Sequence, residues 1–403
     1  MQRPSQEPQA GPLAGLTVVE LGDGTAGPYA AKMLGDFGAD VVKIEGPDGD
    51  STRRRGPFPD GRPDPEASGL FLYLNVNKFG VRLDIDEIAS RPAIDSLLAS
   101  ADVLITNLPT RRLKKADLEP ATLRERYPRL IVTTITPFGR TGPWADRLGD
   151  ELVTYAMGGI GYSTPGMPDA SDDLYREPPL HPDCFVAETI TGLSAASATM
   201  AALLDRERTQ EGCHVDLSQH AAIVAMQIRD SMSSSYAGER YNRLLNPITI
   251  GRMPNFYLPC KDGYATIAAP MDIHWARLVE AMGSPAWALS ADFSTPPART
   301  ANWIALRVNL IDWTMTLTGD ELYFLAEKYQ LPIFPFYSIR KMANTAHARE
   351  RRTLVDIDVG GRRAAMPAAP FLMRETPWSM RRPAPRLGEH NDAILHERHG
   401  IAS

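Results

Sequence analysis

The chain has 403 residues, of which 43% are hydrophobic and 23% charged, with a formal net charge of −6. This length allows two or more domains, and the composition is typical of a soluble globular protein. The negative balance gives no reason to expect nucleic acid or an anionic membrane as a partner, and no apolar run approaches the ~20 residues that span a bilayer.

The N-terminal region predicts one β-turn-α-β unit. Met1–Pro12 is polar, lacks the basic and apolar regions of a signal peptide, and is interpreted as a loose leader. The apolar run Leu16–Leu21 predicts a strand, Tyr29–Gly38 has helical periodicity, and Asp40–Glu45 predicts a second strand. Such a unit of about 30 residues indicates a parallel, doubly wound sheet.

Further alternating elements extend this pattern toward residue 205. Strands are predicted at Val103–Thr106 and Leu130–Thr134, and helices at Ile88–Ser100, Thr122–Tyr127 and Leu193–Leu204. We therefore expect an α/β, nucleotide-binding-like domain over residues 12–205.

The turn after the first strand carries three glycines, Gly22, Gly24 and Gly27, in the spacing GxGxxG. With Glu45 as the later acidic residue, this matches the dinucleotide fingerprint, so NAD(P) binding is one interpretation. Pro28 directly after the last glycine and the acidic Asp23 within the loop favour another one.

Three widely spaced cysteines, Cys184, Cys213 and Cys260, indicate no disulfide framework and favour a cytoplasmic, reducing compartment. No CxxC pair or His-Cys cluster has metal-ligand spacing, so we expect no metal site. A nucleophilic role for Cys184 is conceivable, but a small core residue is the more ordinary interpretation.

Five motifs follow one another in register along the chain, each weak alone. Together they resemble the family III CoA-transferases, the CaiB/BaiF family, from Pro12 to about Glu397. The motifs are VVKIEGPDGDSTR (Val41–Arg53), FLYLNVNKFGVRLDI (Phe71–Ile85), ADVLITNL (Ala101–Leu108), YPRLIVTTITPFGRTG (Tyr127–Gly142) and APRLGEHND (Ala384–Asp392).

The resemblance implies a Rossmann-like large domain, a smaller α/β domain and two subunits interlocked as a ring-like homodimer. On this chain it places the first part of the large domain at 12–205, linker helices at 206–248, the small domain at 249–345 and the return to the large domain at 346–403. Val215–Gln227 would start the linker. Asp320–Tyr329 and Leu331–Ile333 would form a helix and a short strand of the small domain, and Met366–Pro385 an extended crossing segment.

The resemblance makes Glu188 the candidate nucleophile. The family carries an aspartate here, which becomes a mixed anhydride and then a thioester with CoA; this chain has the longer carboxylate. At a helix start, backbone N–H groups, including that of Gly192, could stabilise an oxyanion, and the glycine would allow close approach of substrate. The ordinary alternative is an acid that only complements the helix dipole. Asp183 is a second candidate if the register slips.

Gly149-Asp150-Glu151 forms a second constellation. Related α-methylacyl-CoA racemases have a histidine where this chain has Asp150. Asp150 and Glu188 could exchange a proton as a carboxylate pair, so racemase activity is an alternative. Glu151 matches the family carboxylate and is expected to support the site through hydrogen bonds, or to act only as an acid at a helix N-terminus.

CoA would need cations for its phosphates and an apolar slot for its adenine, at the ends of parallel strands. The predicted contacts are Thr25, Ala26, Lys43, Arg53, Leu74, Lys78, Asn107, Leu108, Arg111, Lys115 and Arg140. CoA would enter as part of the substrate, with no other cofactor.

The predicted function is therefore transfer of CoA between an acyl-CoA and a carboxylic acid. A non-catalytic acyl-CoA-binding protein is a further alternative. The segment Ile248–Tyr257 contains one glycine, Gly251, so the glycine-rich lid of the formyl-CoA transferases in this family is not expected.

Overall fold

The computed structural model describes residues 11–163, 179–236, 253–359 and 361–401. They form two compact units. The described residues of the first unit lie in 11–161, 181–228 and 352–401, and those of the second in the remainder. Of the segment Ile248–Tyr257, in which no glycine-rich lid is expected, residues 248–252 lie outside the described residues. Among the described helices, none has the length and apolar character that crossing a bilayer requires.

The first unit contains a parallel sheet of six strands in the order β3-β2-β1-β4-β5-β6. This confirms the predicted α/β class and the parallel sheet. His214–Ser218 was assigned to the linker but forms the last strand. The strands are β1 (Thr17–Leu21), β2 (Asp40–Glu45), β3 (Lys78–Arg82), β4 (Val103–Thr106), β5 (Ile131–Thr136) and β6 (His214–Ser218).

Apolar side chains cover both faces of this sheet, which is why its inner strands are mostly apolar. Val19, Val42 and Leu104 face one helical layer, whereas their neighbours Val18 and Val41 face the other. Each fully buried side chain of this kind contributes about 1.5–3 kcal/mol. The helices of this unit are α1 (Ala26–Asp36), α2 (Gly69–Asn75), α3 (Arg91–Ala99), α4 (Thr110–Lys115), α5 (Pro120–Arg126), α6 (Glu151–Met157), α7 (Val186–Thr209) and α8 (Gln219–Met226).

Helix α7 is longer than the Leu193–Leu204 run predicted from the sequence. It begins at Val186 and ends at Thr209, where Gln210 adopts a left-handed conformation (φ 63°). Its buried face consists of small residues such as Thr191, Gly192 and Ala195, whereas Leu193 and Leu204 are exposed, so its apolar periodicity is weak. Glu188 consequently lies inside the first turn rather than before the helix.

The C-terminal part of the first unit forms a hairpin, β10 (Leu354–Val359) with β11 (Arg362–Pro367), and ends in a π-helical segment, Asp392–Arg398. The intervening chain is irregular and packs on α1. Arg381 donates to the carbonyls of Gly35 and Ala39, and the Phe371 ring stacks on Phe37 at 4.6 Å between centroids.

The second unit has a small antiparallel sheet and its own core. Phe256, Leu258 and Ile267 point inward from two adjacent strands. The predicted helix at 320–329 is confirmed and carries a reciprocal cap between Thr318 and Glu321. Its elements are β7 (Asn255–Cys260), β8 (Gly263–Ala268), β9 (Ile333–Pro335), α9 (Ile228–Tyr236, at the boundary), α10 (Asp272–Ala281), α11 (Pro296–Ala301), α12 (Trp303–Thr314), α13 (Gly319–Tyr329), α14 (Ile339–Ala343) and α15 (Ala346–Arg351).

Candidate active site

The N-terminus of α7 is capped by a side chain from another helix. Phe185 at the N-cap offers no polar group. Glu151, the first residue of α6, accepts hydrogen bonds from the backbone N–H of Ala187 at 3.0 Å and of Glu188 at 2.8 Å. Two of the otherwise unpaired amides of the first turn are thus satisfied by one nearly buried carboxylate.

Helix α6 is in turn fixed by Asp150, whose side chain accepts from the backbone N–H of Val153 at 3.1 Å as an N-cap. Glu151 also receives a hydrogen bond from the His181 ring, 3.1 Å from its Oε1. Asp150, Glu151 and Glu188, which we call the carboxylate cluster, therefore lie where the starts of α6 and α7 meet.

The pKa of the Glu188 carboxyl is raised by its surroundings. Burial is the largest cause and raises the pKa of its carboxyl above the ordinary 4.5; the negative charges of Glu151 and Asp150 raise it further. The Thr25 hydroxyl and the Arg55 cation oppose that shift. One carboxylate oxygen, Oε2, is buried without a hydrogen bond that meets normal geometry, as is the Thr25 hydroxyl, so the interaction between them is loose.

This arrangement suits a nucleophilic carboxylate. Desolvation leaves the oxygen of Glu188 short of hydrogen-bond donors, which increases its reactivity once ionised. The like charges beside it disfavour that ionisation, so the pKa and the reactivity rise together. Nothing equivalent surrounds the other candidates, since Asp183 and Cys184 are both exposed.

The expected role of Gly192 as an open approach for substrate is wrong. A Cβ at this position would lie 2.7 Å from the carbonyl oxygen of Ala26 and 3.0 Å from the Tyr29 ring. Its N–H belongs to the second turn of α7, where amides bond within the helix. Gly192 therefore allows α1 and α7 to pack closely.

The three-glycine turn is held by Asn107 rather than arranged around a dinucleotide. Asn107 accepts from the N–H of Asp23 at 2.9 Å and donates to its carbonyl at 2.6 Å. A Cβ at Gly27 would lie 2.8 Å from the Asn107 oxygen, whereas Gly24 supplies a positive φ of 73°. Glu45 is engaged by Arg53 and has no free oxygen for a ribose, which opposes the NAD(P) alternative.

Lys43 and Lys78 were predicted to contact phosphates, but both are buried among carboxylates. Lys43 pairs with Glu20 and Asp50, each at 2.7 Å, and donates to the Gly22 carbonyl. Although burial alone would lower the pKa of Lys43, these carboxylates raise it above its ordinary value. Lys78 lies 2.7 Å from the other oxygen of Glu20, and burial lowers its pKa to about 8. Both lysines stabilise the strand ends.

Arg53 is likewise structural. Its guanidinium forms a two-point ion pair with Glu45, at 2.7 and 2.8 Å, and also bonds Glu66 and the Pro385 carbonyl. It stacks 3.7 Å above the Phe71 ring and is 1% exposed. With its donors used in this way, Arg53 joins the C-terminal chain to the sheet.

The other predicted contacts divide between core and surface. Leu74 and Ala26 are buried in the core, and Thr25 is buried beside Glu188. Arg111 and Lys115 are exposed on α4, and Lys115 pairs with Asp86 at 3.3 Å. The Arg140 side chain donates to Thr110 at the start of α4. Arg140 is half-buried, and all three cations lie near the ends of β4 and β5.

A cavity of about 220 Å³ opens at the carboxyl ends of β1, β2 and β4. This is the point where the strand order reverses, the usual ligand site of open α/β sheets. Of the predicted CoA contacts, Leu108 lines it; Arg54 and Arg112 supply its cations. Arg54 was missed, although its place beside Arg53 in the STRRR stretch was a signal. Among the described residues, no group of three His, Cys, Asp or Glu side chains could hold a metal ion.

Comparison with known proteins identifies the class. A family model described as CoA-transferase family III matches residues 13–391. The chain is 32% identical to a succinate–glutarate CoA-transferase of Agrobacterium fabrum, over 98% of this chain and 96% of that one. It is 34% identical to a succinyl-CoA:mesaconate CoA-transferase of Haloarcula hispanica, over 96% of both. A CaiB/BaiF protein of Brucella suis has the same fold, with a TM-score of 0.86, 29% identity and coverage of 96% and 100%.

The chain therefore belongs to CoA-transferase family III, as the sequence motifs indicated. It is an enzyme that transfers CoA between an acyl-CoA and a carboxylic acid.

Proposed function

We propose that Glu188 is the nucleophile of this transferase and carries a covalent glutamyl intermediate. The observation that supports this most directly is a half-buried first-turn carboxylate whose Oε2 is buried without a hydrogen bond and whose pKa is raised. Glu151 is its positioning residue, because it binds the amide of Glu188 itself and fixes the turn that bears it.

The chemistry balances without a cofactor. The Glu188 carboxylate attacks the thioester carbonyl, forming a mixed anhydride and expelling CoA thiolate. The thiolate then attacks the glutamyl carbonyl, which gives an enzyme–CoA thioester and releases the donor acid. The acceptor carboxylate attacks this thioester, which expels CoA thiolate and forms a second mixed anhydride. The thiolate then attacks the acceptor's carbonyl of the anhydride, which gives the new acyl-CoA and releases the Glu188 carboxylate. Water must be excluded, because hydrolysis of either intermediate would waste the thioester.

For the substrates, we propose acids with two carboxylates. The similar proteins are named for succinate, glutarate and mesaconate, and this chain aligns with them along nearly its whole length. The nucleotide end of CoA is proposed to bind at the cavity beside Leu108, with its phosphates on Arg54 and Arg112. CoA enters as substrate, with no further cofactor.

The assembly and compartment are also proposals. The family resemblance implies an interlocked homodimer, which light scattering of the purified protein would detect as twice the mass of one chain. Three free cysteines fit a cytoplasmic location.

Covalent trapping tests the proposed nucleophile. The protein is incubated with succinyl-CoA, reduced with borohydride and mapped by mass spectrometry, since borohydride converts an enzyme thioester to an alcohol. The modified residue should be Glu188, and Glu188→Gln should show no modification. A mark on Asp150 or Asp183, or activity retained by Glu188→Gln, would overturn the assignment.

The length of the side chain gives a second test. Glu188→Asp keeps the carboxylate but withdraws it by about 1 Å, and a misplacement of that size costs on the order of 10²-fold in rate. We expect kcat to fall by roughly this factor, while borohydride trapping still modifies position 188, now an aspartate. An unchanged kcat would show that the pocket is not adapted to glutamate.

A further inference from the structure

Arg55 lies near the proposed nucleophile, and its backbone is fixed by a buried residue. It follows the 3₁₀ turn Ser51–Arg54, and its carbonyl accepts a hydrogen bond of 2.6 Å from the hydroxyl of Ser68. Ser68 is fully buried and also caps α2. The start of the Arg55 side chain is therefore held by the core of the unit.

The guanidinium points toward the start of α7. Its central carbon lies 5.9 Å from the centroid of the Phe185 ring, and Phe185 is the residue immediately before the helix. Its charge also acts on Glu188, lowering the pKa that burial raises. Among the charged groups that act most strongly on Glu188, it is the cation beside two carboxylates, Glu151 and Asp150.

Within the described parts of the chain, no carboxylate forms an ion pair with Arg55. The contrast with Arg53, two residues earlier, is sharp: Arg53 is buried and paired with Glu45 and Glu66, whereas Arg55 is exposed. An exposed, unpaired guanidinium next to a desolvated carboxylate cluster can accept an anionic ligand without breaking an existing ion pair.

We propose that Arg55 binds the second, non-reacting carboxylate of a dicarboxylic substrate while the other end reacts at Glu188. The inference rests on the proposed function and names the residue that selects its substrate class. Without such a cation, the carboxylate cluster would repel a substrate that carries a second negative charge. A guanidinium suits this task because it binds a carboxylate through two parallel hydrogen bonds.

Two donors of equal length test the proposal. Succinyl-CoA and butyryl-CoA both have four-carbon acyl groups, which end in a carboxylate and a methyl group respectively. The rate of borohydride-trappable thioester on Glu188 would be measured for each in single turnovers. Arg55→Gln should lower the succinyl-CoA rate about 10- to 100-fold, the effect of losing a charged hydrogen bond. The effect of the Arg55 charge on the pKa of Glu188 is common to both donors, so the butyryl-CoA rate should fall much less and the succinyl-to-butyryl ratio should drop. Arg55→Lys should restore part of that ratio.

Arg62→Gln is the matched control, because Arg62 is an exposed arginine of the same connection. An unchanged succinyl-to-butyryl ratio in Arg55→Gln would overturn the inference, as would an equal loss with both donors. Failure of the proposed function is distinguishable, since the wild type would then show no mark on Glu188. In that case, calorimetric dissociation constants of the two CoA esters still test Arg55, through the same ratio.

Discussion

At the scale of single residues, one carboxylate holds another in place. The Glu151 carboxylate accepts hydrogen bonds from two backbone amides of α7, and its negative charge raises the pKa of Glu188. The same contact therefore supports the helix and raises the pKa of the proposed nucleophile. If Glu188 only complemented the dipole of α7, it would need neither a buried carboxylate oxygen nor a second acid beside it.

The raised pKa of Glu188 predicts that its charge costs stability. A carboxyl whose pKa is higher in the folded state than the ordinary 4.5 favours folding when protonated, and loses that contribution as pH rises through the folded pKa. Glu188→Gln should therefore melt at a higher temperature than the wild type at pH 7, with the difference vanishing below pH 4.5. Thermal unfolding between pH 4 and 8 measures it. A lower melting temperature at neutral pH would contradict the assigned burial.

Removing the charge of Glu151 should alter the pH profile as well as stability. Gln at this position keeps one acceptor, so one amide of the α7 cap is lost at a cost of about 0.5–2 kcal/mol. Loss of the negative charge lowers the pKa of Glu188, because Glu151 helps raise it. The acidic limb of kcat against pH should thus move to lower pH in Glu151→Gln. Glu211→Gln, at an exposed position, serves as control. An unchanged acidic limb in Glu151→Gln would show that Glu151 acts only as a structural cap.

At the scale of elements, the close contact of α1 with α7 brings Thr25 to Glu188. Two glycines make this possible: Gly27 leaves room for Asn107, and Gly192 for the backbone of α1. Neither feature requires a ligand. The glycine spacing that resembles a dinucleotide fingerprint instead serves helix packing and a tight turn.

Gly192→Ala tests that contact. Alanine normally stabilises a helix interior by about 1 kcal/mol over glycine. Here its Cβ would lie 2.7 Å from a backbone carbonyl that cannot rotate away, and overpacking of this kind costs about 1–3 kcal/mol. We expect a net loss of stability in urea unfolding, with reduced activity because Thr25 and Glu188 separate. Ser197→Ala, on the exposed side of α7, should be neutral. A stabilised Gly192→Ala protein would refute the packing role.

At the scale of the whole molecule, the strand order decides where a ligand can bind. The strand order reverses between β1 and β4, so the loops after these strands diverge and leave the cavity that Leu108, Arg54 and Arg112 line. The buried ion pairs of Lys43 and Lys78 hold the strand ends below it.

The proposed CoA site predicts an effect on binding alone. Arg54→Gln and Arg112→Gln should each raise KM for acyl-CoA about tenfold, the effect of a lost phosphate contact, and leave kcat unchanged. Stability should hardly change, since the pair between Arg112 and Asp86 is partly exposed. Arg91→Gln, which breaks a comparable surface pair with Asp117, is the control. Lower kcat at unchanged KM would place CoA elsewhere.

The sequence alone determined the class of fold, the strands β1, β2 and β4 and the family, and it singled out Glu188 as the candidate nucleophile. Apolar periodicity and motif order are local properties, so they can be read without tertiary contacts. Only the tertiary structure decided the roles of the charged residues. Lys43, Arg53 and Lys78 have the chemistry of phosphate ligands, but they pair with carboxylates of the fold. Glu20 and Glu45 lie on β1 and β2, and Asp50 lies in the connection after β2. The role of a charged side chain depends on the partner that the fold gives it, because burial and distance determine the interaction energy of the pair.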